Sequence, residues 1–212
     1  MNGKLSSADH PRAARNPTIV PRRDLCLDFV NTLMWRGSAP TETLHNVGEL
    51  LNWAAAAGTL PQRADGDLIG WCAAHPTPAA AIFADALEIR EVIYRLLRSA
   101  ASGKPPARDD LQRLNHELGK APPRTILDHT GSSFGWRVDV KPTVPGILAP
   151  VLWSAADILV SADLKRLRQC ANKRCLWLFF DDSKNRTRRW CSMQACGNRA
   201  KAQRHYLRQK AQ

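Results

Sequence analysis

At 212 residues, 44% of them apolar, the chain is long enough for one ordinary core plus a small appendage, or for two small domains. No stretch reaches the roughly 18 uninterrupted apolar residues of a membrane span, and the N-terminal segment lacks the apolar run of a secretory signal, so the chain is placed in the cytoplasm. The formal charge of +12 is localised: residues 165–212 hold 14 Lys and Arg against Asp181 and Asp182, while the rest of the chain balances 17 basic against 17 acidic residues.

Residues 1–23 carry Pro, Arg and small polar residues without an apolar period and read as a disordered, mildly basic arm. In DLCLDFVNTLMW, Leu25, Phe29 and Leu33 recur every four residues, which predicts a helix starting near Asp24. VGELLNWAAAAG predicts a second helix stopped by Gly58. After a Pro- and Ala-rich stretch, AIFADALEIREVIYRLLRSAAS carries the clearest helical stripe, Ile82, Ala86, Ile89, Ile93 and Leu97, which ends before two prolines. DDLQRLNHELG repeats Leu111, Leu114 and Leu118 at helical intervals. RTILDHT and FGWRVDV alternate as strands around GSS, a hairpin signal. PGILAPVLWSAADILVSADLKRL reads as one long apolar helix with Pro145 in its first turn. The fold class expected is mainly α with a small β-hairpin, a helical domain over residues 24–164 followed by a cysteine-rich module over 165–212.

A reducing compartment makes paired cysteine spacings metal sites rather than disulfides. Cys26 and Cys72 sit in apolar settings and read as small buried hydrophobes. Cys170, Cys175, Cys191 and Cys196 stand in the pattern C-x4-C-x15-C-x4-C, two close pairs of the kind that bind one tetrahedral zinc ion. Leu176 to Phe180 read as a strand, DDSKN as a turn, and GNRAKAQRHYLRQK as a helix with Cys196 in its first turn, a treble-clef-like zinc finger. Four thiolates leave no position for water, so the zinc is expected to be structural. A basic segment this short buries little core of its own and needs such a staple.

The run WLFFDDSKNRTRRWCSMQACGNRAKAQRH resembles the CGNR zinc-finger family, whose motif stands here as Cys196, Gly197, Asn198 and Arg199. LCLDFVNTLMWRG and the helical region after it resemble the ABATE domain that precedes this finger in bacterial proteins. The resemblance implies a transcription regulator with a C-terminal DNA-binding finger, and its four ligand positions fall on the same four cysteines. It also implies a sensor role for the helical region, with no ligand identified.

The expected nucleic-acid surface comprises Arg186, Arg188 and Arg189 before Cys191, and Asn198, Arg199, Lys201, Arg204 and Arg208 along the last helix, with His205 beside them. Two readings stand for Asn198 and Arg199: nucleic-acid contact, or turn geometry with Arg199 braced on Asp181 or Asp182. Trp177 and Trp190 are read either as the finger's small core or as stacking platforms. The favoured partner is duplex DNA; the alternative is an RNA- or ribosome-associated protein, and a third reading docks the module on an acidic protein. A homodimer is left open. Asp28, Asn31, Thr32 and Trp35 share one helical face, with Arg36 adjacent, and line a small-molecule pocket or form buried hydrogen bonds between helices; Asp28, Asn31 and Arg36 are the candidate ligand-binding residues. Arg90 and Glu91 are a surface pair or part of that pocket. With no HExxH, phosphate-cradling glycine loop or nucleophile elbow, and six scattered histidines, the chain reads as non-enzymatic.

Overall fold

The structure is a computed structural model that describes residues 18–19, 22–60, 64–130, 133–138 and 140–210. In chain order the elements are β1 (Thr18–Ile19), α1 (Leu25–Val30), β2 (Leu33–Met34), β3 (Thr41–Glu42), α2 (Val47–Ala56), α3 (Ala64–Ala74), α4 (Pro76–Ala101), α5 (Arg108–Lys120), β4 (Leu127–Thr130) and β5 (Ser133–Arg137). They continue with α6 (Val144–Ile147), α7 (Ala149–Val160), a 3-10 turn over Ala162–Arg166, β6 (Leu167–Gln169), β7 (Leu178–Phe180), a π turn over Met193–Gly197, and α8 (Asn198–Lys210). The protein is mostly helical, with small antiparallel strand sets ordered β1-β5-β4, β2-β3 and β6-β7.

The core forms along most of the predicted apolar stripes, although Leu111 of the α5 stripe is exposed and Leu33 lies outside the core. Phe29 of α1, Leu50 and Leu51 of α2, Ile89, Ile93 and Leu97 of α4, Leu114 of α5 and Leu152 of α7 are all buried together. The capping chemistry follows ordinary rules. Asn46 accepts from the Glu49 amide at 2.9 Å at the start of α2. Gly58 takes a left-handed φ of 72° just past its end.

Three elements depart from the sequence expectation. The first helix stops at Val30 rather than running through Leu33, because the Thr32 hydroxyl donates back to the Phe29 carbonyl (2.7 Å) and accepts from the buried Arg90 guanidinium (3.0 Å). The chain then leaves as β2. The long apolar helix is two pieces, α6 and α7, joined at Leu148: Pro150 has no N–H to continue α6 and sits comfortably in the first turn of α7. The Pro- and Ala-rich stretch contains α3, whose sequence has no amphipathic period to reveal it.

Of the N-terminal arm, Thr18–Ile19 pair antiparallel with β5, and Arg23 reaches Asp163 at 2.9 Å and Asp182 at 3.3 Å while lying 4.3 Å above the Phe180 ring. Residues 1–17, 20 and 21 of that expected arm lie outside the described residues.

The β6–β7 hairpin is the element that positions the cysteine site. Its register pairs Leu167 with Phe180, Arg168 with Phe179 and Gln169 with Leu178. Alternation therefore gives it two faces. Leu167, Leu178 and Phe180 enter the main helical core, while Phe179 packs among Cys170, Cys175 and Cys196. One three-residue ribbon thus closes two cores. At about 25 cal/mol per Å² of apolar area, burying each such leucine stabilises the fold by roughly 1.5–3 kcal/mol.

Candidate metal centre and nucleic-acid interface

Cys170 follows β6, and its amide donates to the Trp177 carbonyl at 2.8 Å. The intervening chain forms a tight knuckle. The Asn172 side chain accepts from the Arg174 amide (3.0 Å), and the Asn172 carbonyl accepts from the amides of Cys175 (2.8 Å) and Leu176 (3.2 Å). Leu176 completes the turn with a left-handed φ of 61°. The second pair is built differently. Ala171 donates to the Arg189 carbonyl at 2.9 Å, which holds the chain before Cys191 against the first knuckle, and Cys196 sits in the π turn capped by Ser192. Cys196 therefore lies just before α8, rather than in its first turn, on a backbone continuous with that helix.

The four Sγ atoms lie within 4.8 Å of one another, with Cys175–Cys191 at 3.7 Å and Cys191–Cys196 at 3.8 Å. A tetrahedral zinc with bonds of about 2.3 Å requires S···S separations of about 3.8 Å. A disulfide requires about 2.05 Å. The sulfurs thus fit one structural zinc ion. Hydrogen bonds from Cys175 and Cys191 hold the Cys170 thiol far below its ordinary value, and the same contacts with Cys170 and Cys175 push Cys191 far above it. Without a cation, only part of such a crowded set can ionise; a divalent ion accommodates all four thiolates. The Asn172 amide donates to Cys196 Sγ at 3.4 Å, the outer-shell support such a site uses. Cys26 and Cys72 lie elsewhere, buried, and burial raises both thiols, Cys26 to about 12.

The two acids of the basic segment are both occupied. Asp181 is fully buried and accepts from the Ser183 hydroxyl at 2.5 Å, the Ser183 amide at 3.0 Å and the Arg188 amide at 3.0 Å. The Ser183 hydroxyl first, then the two amides, hold its carboxyl below the usual range although burial opposes them. Asp182 pairs with Arg166 and Arg23. Arg199 braces neither acid: its guanidinium lies 4.4 Å from the Trp35 ring centroid. Arg188 is spent internally, donating to the carbonyls of Trp190 (2.9 Å) and Cys191 and lying over Phe179 at 4.6 Å. Arg189 lies 5.6 Å from the Trp190 ring. Arg186, at φ 52°, is exposed, as are Asn198, Arg199, Lys201 and Arg208. The side chains of Arg204 and His205 fall outside the described residues. Trp177 and Trp190 are partly buried against the cysteine cluster.

This geometry, four convergent sulfurs carried by a knuckle and by a π turn that leads into a basic helix, agrees with the comparisons. Residues 23–162 match the family ABATE, described as "Putative stress-induced transcription regulator". The chain belongs to the ABATE family. Residues 166–209 of this ABATE protein match the CGNR zinc finger. A comparison with curated proteins found no match. Among the described residues, no helix is long and apolar enough to cross a membrane.

The candidate ligand residues of the ABATE part do not converge on one pocket. Asp28 is exposed and pairs with Arg22. Asn31 uses both ends of its amide on the finger, donating to the Leu178 carbonyl (2.9 Å) and accepting from the Leu178 amide (3.2 Å). Both line a cleft of about 240 Å³ against Trp177 and Arg188. Arg36 lies away from it, buried on Glu91 (2.5 and 3.0 Å) and the Val30 carbonyl (2.8 Å), over the Tyr94 ring at 3.9 Å. Arg90 is buried on Glu42 (2.6 and 2.7 Å), Thr32 and Glu91. Despite the opposing effect of burial, those Arg90 bonds hold the Glu42 carboxyl below its usual value. The Arg90–Glu91 pair is thus part of a structural network.

Sequence reasoning missed how the ABATE domain grips the finger. The Gly37 amide donates to the Arg174 carbonyl at 3.2 Å, and a Cβ on Gly37 would stand 1.8 Å from the Lys173 carbonyl oxygen. The Tyr94 hydroxyl donates to the Leu176 carbonyl at 3.0 Å and accepts from Gln169 at 2.9 Å. A backbone contact through a glycine has no side-chain signature. The only available signal was the glycine itself, within WRG.

Proposed function

We propose that this ABATE protein is a cytoplasmic regulator that binds duplex DNA through the second half of its zinc finger. The observation that carries the reading is that Asp181 and Asp182 are both consumed by internal contacts. The exposed cations of the 184–189 loop and of α8 are left without an acidic counterweight in their own segment. Unrelieved like charge of this kind is compensated by an anionic partner, and phosphate contacts would supply affinity and orientation. Zinc holds the finger's shape, and no catalytic role is assigned to it or to any other group. The ABATE domain is assigned the sensing role, with its grip on the finger through Asn31, Gly37 and Tyr94 as the physical connection.

The test is selection of bound sequences from random duplex DNA by the full chain, followed by affinity as a function of salt. A defined motif, with a log-log salt slope of roughly −5, is expected for five or six phosphate contacts. Failure to bind duplex at low salt, or binding without any salt dependence, overturns the reading.

A further inference from the structure

We propose that the cleft between the ABATE domain and the finger, walled by Trp35 and Trp190, holds one unstacked nucleotide: the base against tryptophan, the phosphate against Arg199, Lys173 and Arg174. The cleft has a volume of about 480 Å³, and its floor is the first knuckle and the first turns of α8. Its charged side chains, apart from the metal-ligand sulfur of Cys196, are cationic, and Asn172 adds a neutral amide. Lys173, Arg174, Arg199 and Gln203 line it, and no acidic side chain is among its described lining residues.

The chemistry of that lining selects the ligand. Tryptophan faces accept any base by stacking, while guanidinium and ammonium groups take the phosphate. A purely apolar ligand would leave the cations without a partner, and a bare inorganic anion would not use the two rings. Among the described residues, the side chains of Lys173, Arg174 and Arg199 have no ion pair, so their charge is available.

Trp35 is the most informative member. It has φ 55°, a conformation that bulky residues rarely adopt, and it is held there by local contacts: its carbonyl accepts from Ser38 at 2.9 Å, and the neighbouring Gly37 is pinned to the knuckle. The strained turn places an indole from the ABATE domain on the cysteine cluster, where the Arg199 guanidinium lies over its ring. Strain of this kind collects at binding sites. The site is consequently built from both parts of the chain, and neither part alone provides it.

The inference extends the DNA-binding reading but is separable from it by experiment. The zinc-loaded full chain is titrated with a short fluorescein-labelled oligothymidylate and, separately, with thymidine monophosphate. The variants are Arg199→Gln, Gln203→Glu and, as a control of equal charge loss farther along α8, Arg208→Gln. Arg199→Gln, which removes a phosphate contact, and Gln203→Glu, which places a negative charge beside the phosphate, should each weaken oligonucleotide binding by about tenfold, and Arg208→Gln by about twofold. Zinc content should stay the same in all three.

Displacement of the oligonucleotide by the monophosphate would identify a free nucleotide as a sufficient ligand. Binding of the oligonucleotide alone would identify a nucleotide within a strand. Either result supports the site. The proposal is overturned if neither probe binds, or if Arg208→Gln weakens binding as much as Arg199→Gln, since plain electrostatics then accounts for it. Intact duplex binding with no effect of the cleft variants on the single strand sinks this inference alone. Cleft-dependent binding without any duplex binding sinks the DNA reading alone.

Discussion

The two halves of the finger follow different physics. The first, from Leu167 to Phe180, is held by the ABATE domain: Leu167, Leu178 and Phe180 lie in the main core, Asn31 clamps the Leu178 backbone, and Gly37 abuts the Lys173 carbonyl. The second, from Ser183 to Lys210, is exposed and cationic and is tied to the first by the cysteine cluster and by backbone contacts such as Ala171 to Arg189. The family boundary between residues 162 and 166 is therefore not a boundary in packing. It falls between two elements that share a core, and the finger changes character after Phe180, where the main core ends and the cysteine cluster and Trp35 take over.

The largest test of this division is removal of the metal. Protein purified without added zinc should carry about one zinc per chain by atomic absorption, and Cys191→Ser should abolish it. Structural zinc contributes on the order of 10 kcal/mol of apparent binding free energy. Amide resonances of the second half should collapse while those of α4 and the β6–β7 hairpin persist. Loss of the whole spectrum would show that the two halves stand or fall together.

Next in size, Leu178→Ala should cost roughly 2–5 kcal/mol in urea unfolding, as expected for a leucine cut from a packed core. It should do so with zinc still bound. If the variant unfolds at the wild-type midpoint, the hairpin is not part of the core. Gly37→Ala tests the seam between the two regions. The added methyl must push the knuckle carbonyl away, at a cost of about 1–3 kcal/mol. Unchanged stability would mean that the seam is loose. The smallest expected effect belongs to the second half: Arg208→Gln should leave stability within about 0.5 kcal/mol and reduce the magnitude of the duplex salt slope by about 1. A fall in melting temperature instead would place Arg208 in the fold rather than at the interface.

The parts of this molecule legible from sequence were those in which local chemistry determines the outcome. Four cysteines in two close pairs have few other uses in a basic segment, and the sulfur spacing bears this out. The stripe from Ile82 to Leu97 became α4, and the alternating segments around residues 131–132 became a hairpin. What escaped depended on distant partners. A period through Leu25, Phe29 and Leu33 is helical in isolation, yet Thr32 leaves the helix to bond Arg90, 58 residues away. The sequence divided the chain into a helical domain over 24–164 and a module over 165–212, because LRQ and LFF are too short to show a face buried in the other part. Asn31 was singled out as polar on a helix face, and its partner proved to be a strand 147 residues later.

The shared hairpin also bears on how the chain is made. Synthesis delivers residues 24–164 first, but the apolar surface that receives Leu167, Leu178 and Phe180 stays open until about fifteen further residues have emerged, and the sulfurs of Cys191 and Cys196 arrive later still. Folding of the ABATE domain and capture of zinc are thus ordered in time by the chain itself. The nascent protein must keep a partly unsealed core from other hydrophobic surfaces during that interval.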